Sequence, residues 1–181
     1  MKRISKLKLC DIEVDLSEKL DDLLGKLPIS AEYEKDNTAL GIVLNFIEPY
    51  IGELHFDNEG NFIGYYTAEA DGTGEYDNDI EITFENGNSI KGTTEEISKE
   101  LCDSILELKG TYPVTVGLYG VHYGKTQDIN GNTYVCVVSE TLDDEEIITI
   151  IKEEFFDDFL LSIDGVDIAK SIKSGRIIST T

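Results

Sequence analysis

The chain is poor in the residues that staple, punctuate or catalyse. Among 181 residues there is no tryptophan, one methionine, three prolines, three cysteines and two histidines. Cys10, Cys102 and Cys136 are an odd set without C-x-x-C spacing, so neither a disulfide framework nor a zinc site is expected. No run of about 18 apolar residues occurs, which leaves no candidate for a membrane-spanning helix. The basic start (Lys2, Arg3, Lys6, Lys8) runs into Asp11, Glu13 and Asp15 where a signal peptide needs an apolar stretch, and a cytoplasmic protein is expected. Phosphate loops, dinucleotide fingerprints, G-x-S-x-G elbows and H-E-x-x-H pairs are all missing. Gly117, Gly120 and Gly124 read as close-packing positions, because no helix start follows them to bind phosphate. His55 and His122 lie in β-like runs, and Cys102 and Cys136 border apolar residues. A thiol–imidazole pair therefore has no supporting motif, and no catalytic residue, cofactor or metal is assigned.

Cations are scarce as well. Lys and Arg number 15 against 37 Asp and Glu, a net charge of −22. A small domain stays soluble with a net charge of roughly 2–8 in magnitude, so solubility does not account for the excess. Direct binding to DNA or RNA is excluded as the default, since neutralising phosphates takes clustered cations. An anionic membrane is disfavoured by the same repulsion.

The pattern of what is present predicts an α+β domain spanning 1–181: an antiparallel β-sheet built from hairpins, with about three helices packed against it. Residues 7–16 alternate apolar and polar with a break near Cys10-Asp11. Asp15 and Glu18 suggest a capping box, and Leu16, Leu20, Leu23, Leu24 and Leu27 give a helix over 16–25. Three segments carry Gly-Asn between strand-like runs: 56–62, 84–90 and 128–134. Gly and Asn tolerate positive φ, so each predicts a hairpin, and unequal intervals argue for reused turns rather than an internal repeat. Thr93 and Glu96 predict a second helix over 94–108, ending at Lys109-Gly110. A third is read over 143–161 from the stripe Ile148, Ile151, Phe155 and Phe159. The β-branched run Ile147–Ile151 suits a central strand equally well.

The charge is unevenly distributed. Residues 1–9 and 170–181 are basic ends without acids, and all the acids lie in the body, 10–169. From Asp36 to Ile90 there is no Lys or Arg, so local pairs cannot neutralise the acids there and self-repulsion costs stability. Salt adaptation fits poorly with 13 Lys against two Arg, and a disordered acidic tail fits poorly with acids that alternate with Ile, Phe and Tyr. The series Asp71, Thr73, Glu75, Asp77, Asp79, Glu81 has oxygen ligands at every second residue, but it lacks the EF-hand glycine and the closing Glu of a calcium loop.

A partner with a positive groove remains. Carboxylates on strand or helix neighbours stand about 4.5–6 Å apart, on the scale of a phosphate ladder. In this the composition is similar to that of small acidic nucleic-acid mimics such as anti-CRISPR and antirestriction proteins, and of immunity proteins that neutralise nuclease toxins. The resemblance implies a non-catalytic inhibitor whose partner is a basic nuclease or other nucleic-acid-binding protein. The alternatives are an immunity protein and a small enzyme or calcium module using clustered carboxylates. The expected contact residues are Glu69, Asp71, Glu75, Asp77, Asp79 and Glu81, the helix face Glu146, Glu153 and Asp157, and the tyrosines Tyr65 and Tyr76 on outward sheet positions. With no cation near in sequence, reversing Asp77, Asp79 and Glu81 to Lys is expected to preserve or raise stability.

Overall fold

The computed structural model describes residues 3–47, 52–68, 80–93, 97, 113–116, 119–140, 146–156, 162–163 and 166–167. These residues form two antiparallel sheets, a two-stranded ribbon and two short helices, rather than one sheet covered by about three helices. The smaller sheet runs in the order β2-β1-β7-β8, from β1 (Ile4–Leu9), β2 (Ile12–Asp15), β7 (Ile80–Phe84) and β8 (Ser89–Gly92). The larger runs β3-β4-β5-β6-β12-β11-β10-β9. Its first half is β3 (Tyr33–Thr38), β4 (Gly41–Phe46), β5 (Gly52–Phe56) and β6 (Phe62–Ala68). The second half is β9 (Pro113–Val116), β10 (Tyr119–Gln127), β11 (Thr133–Glu140) and β12 (Glu146–Lys152). The helices are α1 (Leu20–Leu24) and α2 (Glu153–Phe156), and β13 (Ser162–Ile163) pairs with β14 (Val166–Asp167). No helix among the described residues is long and apolar enough to cross a membrane.

Alternation builds the small sheet from Leu7 onward, past a register shift against β7 between Ile4 and Lys6. Leu7, Leu9, Ile12, Val14, Ile80, Ile82, Phe84 and Ile90 face inward and are buried. They share one core with Leu44, Leu54, Phe56, Phe62, Ile148 and Ile150 of the large sheet, so the sheets pack face to face. The break read at Cys10-Asp11 is a hairpin turn between β1 and β2, with Cys10 at φ 49°.

Three hairpins close alike. In each, the fourth residue is a glycine in the left-handed region: Gly60 at φ 79°, Gly87 at 82° and Gly131 at 88°. Its N–H donates to the carbonyl of the first residue (Asp57, Phe84 or Asp128) at 2.9–3.1 Å. That is a type I turn followed by a glycine bulge. In two of the turns an aspartate sets the loop. Asp57 Oδ1 accepts the N–H groups of Glu59 and Asn61 at 2.9 and 2.8 Å, and Asp128 Oδ1 accepts those of Asn130 and Asn132 at 2.8 and 2.9 Å. Asp128 is fully buried and also bridges to Ile4 of β1, tying the sheets together at that corner.

The helices are where sequence and structure part. Helix α1 spans only Leu20–Leu24 of the expected 16–25. Half of the capping box forms, with the Asp15 N–H donating to Glu18 Oε2 at 3.3 Å. The Asp15 carboxylate instead takes the Ser17 N–H and hydroxyl at 2.9 and 2.6 Å, and that turn uses up the first residues. Of 94–108, only Ile97 is described: it is helical, buried, and donates to the Thr93 carbonyl at 3.1 Å.

The expected helix 143–161 is overturned. Glu146–Lys152 is a central strand between β6 and β11, and only Glu153–Phe156 is helical. Ile148 and Ile150 face the shared core, while Thr149 and Ile151 are equally buried on the opposite face. A strand buried on both sides reads as a continuous apolar run rather than an alternating one, and such a run also contains a helical stripe. β-Branched Ile147–Ile151 then favours the strand.

Candidate protein-binding surface

The acidic positions expected to meet a partner are sorted by the fold into unlike environments. Glu81 lies in β7 with Lys8 of β1 directly opposite on one side and Lys91 of β8 on the other. Lys8 in turn faces Glu13 of β2, so the outer face of the small sheet carries a row of alternating sign, Glu13–Lys8–Glu81–Lys91. Lys6 adds an ion pair to Glu13 at 2.7 Å. The sequence around Glu81 holds no cation, but antiparallel pairing brings one from each flanking strand. This face is neutralised.

The helical face Glu146–Glu153–Asp157 does not exist as such. Glu146 opens β12, opposite Glu140 of β11, and Glu153 opens α2, where it is exposed and ion-paired with Lys125 of β10. Tyr65 is not on an outward position. It is 2% exposed and packs into the shared core, level with Leu54 and Ile150. The cause is a bulge between β5 and β6. Phe56 pairs with Phe62 but His55 pairs with Gly64, so Ile63 is an extra residue and the alternation flips. Phe62 and Tyr65 therefore both face the core although three residues apart. Glu69, Asp71, Glu75, Tyr76, Asp77, Asp79 and Asp157 lie outside the described residues.

A different acidic patch is built where β3, β4 and β5 meet. Register places Glu34 of β3 opposite Asn45 of β4, which is opposite Glu53 of β5. The adjacent row is Asp36, Val43 and His55. Opposed residues share a face, so Glu34, Asp36 and Glu53 converge on the face of the large sheet turned away from the small one. Glu34, Asp36 and Asn45 are exposed, and the Glu53 carboxylate lies 2.8 Å from Nε2 of the buried His55. No Lys or Arg of β3–β6 shares that face, because Lys35, the one cation in these strands, points to the other side. The signal was in the sequence. Glu32-Tyr33-Glu34-Lys35-Asp36 has acids at every second position, the period that puts them on one side of a strand.

Gly64 is needed beside this patch. A Cβ there would come within 2.9 Å of Ile151 Cγ1 and 3.1 Å of the Ile150 carbonyl oxygen, so β6 and β12 approach closely only because position 64 has no side chain. The cysteine–histidine pairing considered from sequence has no geometry among the described side chains. Cys136 faces the shared core with Ile150, whereas His55 lies on the opposite face. No protein-family model, no curated protein and no solved structure matches this chain.

Proposed function

We propose that this protein is a non-catalytic, acidic inhibitor that occupies the positive nucleic-acid-binding surface of a nuclease or other nucleic-acid-binding protein. It would act in the cytoplasm as an anti-defence protein of the anti-CRISPR or antirestriction type. The observation that carries this reading is the contrast between the outer face of the small sheet and the exposed β3 edge of the large one. On the small sheet every described acid has a cation beside or across from it. At the β3–β5 end of the large sheet Glu34, Asp36 and Glu53 converge on a side that no Lys or Arg of β3–β6 shares. Uncompensated like charge costs folding stability, so its retention, together with a net charge of −22, points to a partner that supplies the opposite sign.

The test is capture from the native host at low salt, elution by rising salt, and a displacement assay on whatever is eluted. The expected result is a nucleic-acid-binding protein from which this chain displaces duplex DNA or RNA at near-equal stoichiometry. Captured proteins that bind no nucleic acid, or that hold the chain and the nucleic acid together, would overturn the reading.

A further inference from the structure

We infer that the free edge of β3 is a docking strand that takes up an extended, basic segment of a partner protein by β-strand addition. The inference rests on the acidic-inhibitor reading above and names its mode of contact. β3 is the outermost strand of the eight-stranded sheet, and all six of its residues are exposed. Its pairing with β4 runs from Tyr33↔Phe46 to Thr38↔Gly41 without a shift. Extending that register by one residue places Glu32 opposite Ile47, and the Ile47 N–H does donate to the Glu32 carbonyl at 3.0 Å. Glu32↔Ile47 is therefore a hydrogen-bonded pair, and the antiparallel alternation makes Glu34↔Asn45 and Asp36↔Val43 hydrogen-bonded pairs too. The N–H and C=O groups of Tyr33, Lys35 and Asn37 then point away from β4, into solvent. They are a ready template for one more strand.

Natural sheets block such edges with prolines, bulges or charge. This edge has neither a proline nor a bulge, and its charge is one-sided: Glu32, Glu34 and Asp36 project to one face at the two-residue strand repeat. A second copy of the chain is a poor occupant, since antiparallel pairing centred on Lys35 would set Glu34 against Asp36. A strand with Lys or Arg at alternate positions is a good one, because its cations meet Glu32, Glu34 and Asp36 while its backbone pairs with Tyr33, Lys35 and Asn37. Its intervening side chains meet Tyr33, whose exposed ring stacks at a tilt on Phe46 with centroids 5.8 Å apart. The edge charge repels copies of itself and selects the opposite sign.

The probe is a nine-residue peptide alternating Lys and Val, compared with the same peptide carrying proline at two central Val positions. Affinity is read by fluorescence anisotropy and the contact by amide exchange on the full chain. The alternating peptide should bind at least tenfold tighter than its proline counterpart, with new protection at the Tyr33, Lys35 and Asn37 amides. Lys35→Pro removes an outward N–H that β4 does not use and also removes a positive charge, so electrostatics alone would strengthen binding. The expected result is loss of the tenfold preference, while Lys35→Ala, which keeps the N–H, binds as the parent does or better. Equal binding of both peptides, or protection elsewhere, would overturn strand addition. Equal binding that weakens steeply with salt would do so while leaving the acidic-inhibitor reading standing, because that reading is tested on the captured partner and not on the peptide.

Discussion

At the scale of the residue, three groups set how the fold responds to pH. Burial alone would raise the Asp57 carboxyl, but hydrogen bonds from the Asn61 side chain and backbone and from the Glu59 N–H outweigh it and hold it below the ordinary range. Asp15 behaves alike, with burial raising it and the Ser17 hydroxyl and N–H prevailing. A carboxyl depressed in the folded state contributes stability above its unfolded value of about 3.9, and that contribution fades as pH falls through the folded value. Replacing both with asparagine should therefore flatten the dependence of urea stability on pH below about 4, with little change in slope at neutral pH. At the alkaline end the relevant group is Tyr134 of β11. Burial, and then the charges of Asp128 and Glu154, push its phenol well above the usual range, and the buried hydroxyl has no hydrogen-bond partner among the described residues. The folded form keeps the proton that the unfolded chain releases above about pH 10, so stability falls as pH rises past that point. Tyr134→Phe should remove this part of the alkaline loss and raise stability at neutral pH by about 1 kcal/mol, measured by chemical denaturation.

At the scale of the element, the turns were legible and the central strands were not. A Gly-Asn pair takes a positive φ at little cost, so between strand-like runs segments 56–62, 84–90 and 128–134 announced their hairpins locally. Ile147–Ile151 announced only that it is apolar, because both faces of β12 are buried and no alternation remains to mark the strand. Tyr65 was misplaced for another local reason, since an extra residue in a bulge reverses every later side chain and leaves no mark in composition. Glu81 shows the limit of reading charge along a chain: its neutralising partners, Lys8 and Lys91, are far away in sequence and become neighbours only through β7. The stability expectation for that position is thereby reversed. Glu81→Lys would put three cations in one row, and cross-strand pairs of this kind contribute roughly 0.2–1 kcal/mol each. The substitution should lower stability by about 1–2 kcal/mol and lower Tm, whereas Glu34→Lys on the uncompensated face should leave Tm unchanged or raise it.

At the scale of the whole molecule, a sandwich of two antiparallel sheets separates a neutralised outer face from an acidic edge. The small sheet contributes alternating Glu13, Lys8, Glu81 and Lys91. The large sheet ends in β3, whose acids Glu34 and Asp36 point, with Glu53, to the side on which no Lys or Arg of β3–β6 lies. A net charge of −22 surrounds this edge with a negative field that draws in a positive surface before contact. Such steering acts on the association rate and is cut off as salt shortens the Debye length from about 30 Å at 0.01 M to about 8 Å at 0.15 M. The most direct test is the association rate of this chain with its captured nucleic-acid-binding partner across that salt range. The account predicts a fall of at least about tenfold with little change in dissociation, reduced further by Glu34→Lys with Asp36→Lys. An association rate independent of salt would contradict it.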